Sequence, residues 1–223
     1  MRICLCFCLL TSASVWAGDW KVTSESLFAV ITHKGGVAKG MAHNHFIYAS
    51  KNQATLFVDP DDLSQTRIQL SFPVADLVVD DAAVSARWFP TIVKLDILEE
   101  SFAEVKEKSR GKIRKAMLGK KQLNAVKFGQ IQAKLLQVQA KSMDFGGRTF
   151  THELRIEVTI LGQTVTYRIP GNLSLDGDLL KLEAVGLLKF SDFAMKPYSA
   201  MMGAVSNLNE FHLYVNMQAR QNP

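Results

Sequence analysis

The sequence predicts an all-β protein whose antiparallel strands close into an up-and-down barrel. Three observations lead there: short segments in which apolar and polar residues alternate, turn-forming residues between them at hairpin spacing, and a Leu/Ile/Val/Phe-rich face on most segments. About eight or nine such segments bury their apolar faces together most simply by closing on themselves, which removes exposed edges. A two-sheet sandwich is the competing architecture.

Residues Trp20 to Thr32 are rich in β-branched and aromatic types and read as the first strand, with Lys34-Gly35-Gly36 as its turn. The stretch Gly40-Met41-Ala42-His43-Asn44-His45-Phe46-Ile47-Tyr48 reads as the second. In a strand, the period of two sets His43 and His45 on one face. Ala49 to Asn52 turns the chain into Ala54–Val58, and Asp59-Pro60-Asp61-Asp62 closes that strand. Arg67 to Phe72 alternates cleanly, with Ile68, Leu70 and Phe72 on one side.

The pattern breaks between about Asp76 and Gln122. Trp88-Phe89-Pro90 reads as an interruption. Leu95 to Leu118 then places Ile97, Leu98, Phe102, Val105, Ile113, Met117 and Leu118 at mostly helical spacing, predicting one or two amphipathic helices (about 95–120) around a break near Ser109-Arg110-Gly111. Lys106, Lys108, Arg110, Lys112, Arg114, Lys115, Lys120 and Lys121 make this insertion the basic face. It reads either as a solvated helix surface or as a gate for an anion or head group.

Strands resume at Phe128–Val138. His152 to Ile160 alternates most clearly, with His152, Leu154, Ile156, Val158 and Ile160 on one face and Glu153, Arg155, Glu157 and Thr159 on the other. Leu161-Gly162 turns into Val165, Tyr167 and Ile169. Leu175-Asp176-Gly177-Asp178 turns into Leu180–Phe190. A last strand, Glu210–Ala219, points Phe211, Leu213, Val215 and Met217 inward and Glu210, His212, Tyr214 and Asn216 outward.

The N-terminus predicts export. Met1-Arg2 is a short positive start, Ile3 to Leu10 is apolar, and Val15-Trp16-Ala17 supplies the residues that a signal peptidase reads, so cleavage is expected after Ala17. That run is shorter than the roughly 20 apolar residues of a spanning helix. Residues 18–223 are then one barrel domain, most simply periplasmic. All three cysteines, Cys4, Cys6 and Cys8, fall in the leader, so the mature chain relies on its core rather than on disulfides. Phe7 before Cys8 argues against lipidation. Losing the one Arg of residues 1–17 takes the basic count from 26 to 25, against 21 acidic residues. This mild excess, gathered in one segment of an exported chain, argues against a nucleic-acid partner.

Few residue types here carry chemistry. A barrel of this size can hold one small ligand, and the inward residues require that ligand to be largely apolar; a filled core requires the same residues. His43, His45 and His152 are the metal candidates, and polar lining near a ligand's head is the alternative. No Gly-x-Ser-x-Gly elbow, thiol or Gly-rich phosphate loop is present in the mature chain, which points away from an enzyme.

Several segments together carry a resemblance. Trp20-Lys21-Val22, Thr32-His33, Ala42-His43-Asn44-His45-Phe46, Ile113 to Met117 leading to Val126-Lys127-Phe128-Gly129-Gln130-Ile131, and Phe190-Ser191-Asp192-Phe193-Ala194-Met195-Lys196-Pro197 followed by Phe211–Met217 resemble the YceI-like family of exported lipid-binding proteins. The likeness covers nearly the whole mature chain and rests on the order and spacing of short motifs. It implies an eight-stranded lipocalin-like barrel with a helical insertion, no catalysis, and a bound polyisoprenoid such as a prenyl quinone or prenyl phosphate. The chain departs from the family where Gly111-Lys112-Ile113-Arg114-Lys115 replaces an Arg-Asp-x-His-Leu run and where Gly129 replaces a proline, both near the expected opening.

The expected lipid lining is Phe28, Val30, His43, His45, Ile47, Leu154, Ile156, Val158, Tyr167, Leu182, Phe190, Phe211 and Leu213, with Lys112, Arg114 and Lys115 for the head group. The function expected is carriage or sequestration of that lipid. The alternative is a metal- or haem-associated redox accessory protein using the barrel histidines. Contact with a membrane or a redox protein, and a homodimer, stay open.

Overall fold

The computed structural model describes residues 19–222. The expected leader, its cleavage after Ala17 and its three cysteines lie outside the described residues. In chain order the elements are β1 (Trp20–Val22), β2 (Leu27–Gly35), β3 (His45–Ala49), β4 (Gln53–Phe57), β5 (Arg67–Pro73), β6 (Leu77–Val79), α1 (Ala82–Lys94), α2 (Glu107–Leu118), β7 (Gln130–Phe145), β8 (Arg148–Ile160), β9 (Gln163–Asp176), β10 (Leu179–Lys189), β11 (Ser199–Ala200) and β12 (Val205–Gln221). Short 3-10 turns link several of them.

The strands form one antiparallel sheet in the order β4-β5-β7-β8-β9-β10-β12-β2-β3-β6, with β1 and β11 added against β12. Curled on itself, this sheet is the expected all-β, lipocalin-like barrel with a helical insertion. The ladder follows the expected hairpins: Leu154 sits opposite Ile169 and Val158 opposite Val165 on β8 and β9, so both strands direct the same apolar face inward. More strands are present than the eight expected, because β1, β6 and β11 have two or three residues each, too few for a visible alternation. The run Trp20–Thr32 is also two strands, broken after Val22. Among the described residues no ladder joins the terminal strands β4 and β6.

The helical insertion differs from its expected bounds of about 95–120. Helix α1 begins at Ala82, where the Asp81 side chain accepts from the Val84 amide at 2.9 Å, and it runs straight through Trp88-Phe89-Pro90. Proline within a helix costs about 3 kcal/mol relative to Ala. Burial offsets it: Ile92 and Leu95 are fully buried, and with Trp88 and Val84 they pack against Leu27, Ala29, Ile31, Phe46 and Tyr214. Those partners lie on the outer face of β2, β3 and β12, so α1 gives the barrel wall a second apolar core on its outside. The β7–β8 hairpin closes on the same region. Gly146, at φ +53°, brings its backbone against Leu95, where a Cβ would sit 1.8 Å from the Leu95 carbonyl oxygen. The break between the helices spans residues 95–106 rather than 109–111, and Gly111 lies inside α2.

Inside the barrel, Trp20, Val58, Leu173, Leu180, Met217 and Ala219 pack together at one end. At the other end Val74, Leu77, Leu123, Phe193 and Met195 form a smaller cluster with Met117 and Leu118 of α2. Between these two clusters lies a hollow.

Candidate functional site

The hollow is a cavity of about 350 Å³. That volume falls within the range typical of small-molecule sites. Its wall comes from alternate residues of β2, β3, β5, β7, β8, β9, β10 and β12, and its lid from Ile113, Ala116 and Met117 on one face of α2. Helical spacing aligns these three, which is how a helix with no buried residue still covers an apolar opening.

Of the residues expected to line it, Phe28, Val30, His45, Ile47, Leu154, Ile156, Val158, Leu182, Phe190, Phe211 and Leu213 do so. His43 does not. Strand β3 starts only at His45, and His43 is exposed in the preceding loop, because Asn44 is held outside the ladder by accepting from the Lys34 amide at 2.9 Å. Tyr167 does not line it either. The β9–β10 ladder ends at Gly171 and Ala184, and a 3-10 turn at Phe190–Phe193 packs beside β9 above that point. The Tyr167 ring packs on Phe193, and its hydroxyl donates to Asp192 at 2.7 Å. Burial, then the Asp192 carboxylate, raises the Tyr167 phenol well above its ordinary range.

Among the head-group candidates only Lys112 reaches the cavity. Arg114 turns away: its guanidinium donates to the carbonyls of Leu77 (3.2 Å) and Ala75 and so fastens α2 to the sheet. Lys115 is exposed on the helix's outer side. The basic residues that the sequence presented as one face are thus divided between cavity, fastening and solvent.

The polar features of the wall concentrate near the mouth. Thr32 and His45 sit opposite each other on β2 and β3. The His45 ring lies 2.7 Å, Nδ1 to Oδ2, from Asp80, whose other oxygen accepts from the Phe46 amide at 2.9 Å. Nδ1 therefore carries the proton, and Nε2 is the ring atom open to a partner in the cavity. Asp80 is buried, and its backbone adopts φ +51°, a left-handed conformation rare for a residue other than glycine. Sequence reasoning missed Asp80; only the β3–β6 pairing, 35 residues from His45, brings it there. The Thr32 hydroxyl is buried without a hydrogen-bond partner among the described residues. Gln122, Tyr198 and Asn207 add polar atoms to the rim.

The three histidines considered for a metal do not converge. His43 is in a loop, His45 is held by Asp80, and His152 bonds the Thr151 hydroxyl at 2.8 Å without lining the cavity. Among the described residues no cluster of three or more His, Cys, Asp or Glu side chains is arranged to hold a metal ion. The histidines that do meet are His33 and His212, 2.6 Å apart on the outer face of β2 and β12, which the outward placement of His212 alone did not reveal.

The comparisons with known proteins bear on this geometry. No protein-family model and no curated protein matches the sequence. Solved structures do match. BcnA of Burkholderia cenocepacia superposes with a TM-score of 0.58 at 14% identity, over 89% of this chain and 99% of that one. A polyisoprenoid binding domain from Saccharophagus degradans, implicated in plant cell wall breakdown, gives 0.54 at 6% identity over 92% and 99%. A mutant YCEI protein of Campylobacter jejuni gives 0.51 at 9% over 79% and 85%. The fold is YceI-like. At these identities the YceI-like fold is what the chains share.

Proposed function

We propose that this protein is a YceI-like carrier or sequestering protein for a polyisoprenoid lipid, exported to the periplasm by cleavage after Ala17, and that it is not an enzyme. The observation that carries the reading is the cavity itself. A hollow lined almost wholly by Leu, Ile, Val, Phe, Ala and Met, inside a barrel with separate apolar clusters at both ends, has no use for a polar ligand and suits a flexible hydrocarbon chain. The polyisoprenoid-binding neighbour of the same fold supports the choice of chain.

The head group belongs at the mouth. His45 Nε2 accepts from a hydroxyl, or donates to a quinone or phosphate oxygen once the ring is protonated. Thr32 supplies a hydroxyl without a partner, and Lys112 supplies a positive charge. Asp80 positions His45 rather than touching the ligand. Residues 18–223 act as one barrel domain in this reading.

Organic extraction of the purified protein followed by mass spectrometry tests it, with recovery of an isoprenoid in near-stoichiometric amount expected. A His45→Phe, Thr32→Val variant should bind the added lipid about tenfold more weakly, the loss of one to two hydrogen bonds. Extraction that repeatedly yields no lipid, together with no binding of added prenyl quinone or prenyl phosphate, would refute the function.

A further inference from the structure

The cavity mouth carries a feature that neither the chain fit nor the head-group contacts use. Two loops meet there. The first runs from Gly36 to Ala42, and the second, Tyr198 to Leu208, is the tip of the β11–β12 hairpin. They are joined backbone to backbone, with the Ala38 amide donating to the Ala204 carbonyl at 2.8 Å. Gly36, at φ +87°, lies so close that a Cβ would come within 2.4 Å of the Ala204 oxygen. The seam is thus a built contact.

From this joined rim large apolar side chains project into water. Val37 is 96% exposed and Met202 fully so; Met41, Met201 and Leu208 are each about half exposed or more. Met201 and Met202 both sit at positive φ, 50° and 52°, a costly backbone for two residues left largely in water. Tyr198 belongs to the same rim and also lines the cavity, so the patch is continuous with the opening. A cluster of this kind on a soluble face marks a contact surface.

Charge identifies what it contacts. Residues 37–42 and 194–208 contain Lys39 and Lys196 and no carboxylate. The adjoining stretch 108–121 contains seven Lys and Arg residues and again no carboxylate. Its end is tied to the rim, because the Gln122 amide donates to the Lys196 carbonyl at 3.2 Å. The acids flanking these stretches are mostly paired: Glu100 with Lys34 at 2.6 Å and Glu210 with Lys189 at 3.7 Å, while Asp192 accepts from the Tyr167 hydroxyl and keeps its charge. An apolar tip flanked by an excess of cations complements a bilayer surface with anionic head groups. There methionine and valine enter the interface while lysines meet phosphate.

We infer that the rim formed by Val37–Met41 and Tyr198–Leu208 docks the mouth of the cavity on an anionic membrane surface, so that a lipid chain passes between bilayer and barrel without crossing water. The purpose of this contact rests on the lipid-carrier reading; the contact itself does not. It is therefore tested on vesicles that contain no isoprenoid.

Purified protein is floated with vesicles of phosphatidylglycerol and phosphatidylethanolamine and, in parallel, with vesicles of phosphatidylcholine alone. Binding to the anionic vesicles is expected, about tenfold weaker on phosphatidylcholine and weakened by raised salt. Met201→Asp with Met202→Asp should lower anionic binding at least tenfold with an unchanged melting curve and unchanged lipid binding in the cavity. Lys39→Gln with Lys196→Gln should flatten the salt dependence. Absence of binding by the unaltered protein, or binding that the methionine variant leaves intact, overturns the inference. So does a sedimentation result in which the rim pairs two copies of the chain and the methionine variant merely converts dimer to monomer. An empty extraction with intact vesicle binding would leave the docking standing and remove only the cargo.

Discussion

Paired groups set much of this protein's chemistry at the residue scale, and the His33–His212 pair has a measurable consequence. The rings meet edge to face, 4.8 Å between centroids, with Phe145 against His212 from the β7–β8 hairpin. Burial lowers both imidazoles from their ordinary range. The neighbouring charge of His33 adds to the effect on His212, which falls to about 4, while the Glu210 carboxylate partly offsets the effect on His33. In the folded state both rings therefore stay neutral where unfolded imidazoles would charge. The sign follows: the unfolded chain binds more protons between about pH 6.5 and 4, so stability is level above 6.5 and falls as the pH drops through that window. For this half-buried pair the loss should be on the order of 2 kcal/mol. Urea unfolding at pH 7 and pH 4.5 measures it, and His212→Phe should shrink the difference between the two conditions by more than half. An unchanged difference would place the acid sensitivity elsewhere.

At the scale of elements, α2 is a lid held by partly buried apolar residues and a few polar contacts. It has no buried residue and its N-terminus lacks a side-chain cap, so its position depends on Arg114 reaching the carbonyls of Leu77 and Ala75 and on Arg110 reaching that of Asp80. Arg114→Ala should leave the melting temperature nearly unchanged while speeding release of a fluorescent prenyl analogue about tenfold, read by stopped-flow displacement. A release rate equal to that of the unaltered protein would show that α2 does not gate the mouth. How far these elements were readable from sequence follows from where their partners lie. Strand β8 was plain, because only one of its faces is buried over Leu154–Ile160 and alternation survives. Helix α1 was not, because Pro90 reads locally as a break and the reason the helix tolerates it is the packing of Ile92 and Leu95 on strands distant in sequence. The clue was in β2, where Leu27-Phe28-Ala29-Val30-Ile31 is apolar on both faces, as a wall covered from inside and outside must be. In the site, the aliphatic lining was legible from period two, whereas His43 was misplaced because a strand's first residue is set by its partner strand. Asp80 had no local signal at all.

For the whole molecule, the question the sequence left open was whether the barrel is filled or hollow, since both need the same residues. The cavity makes a test possible. Ala133 lines it from β7, opposite Leu70 and Val158. Ala133→Phe places a ring in empty space, so stability should hold or rise slightly while lipid binding falls at least tenfold. A filled core would instead lose about 1–3 kcal/mol to overpacking, visible as a lowered melting temperature. The two cores on either side of one wall also have a consequence for how such a chain varies. Along β12, Phe211, Leu213 and Val215 face the cavity, while the intervening His212 and Tyr214 face the packing beneath α1. Hollow and scaffold are thus written on alternate letters of the same strand. Inward letters can change while the outward letters keep the wall standing, and a barrel built this way stays folded when its hollow is empty.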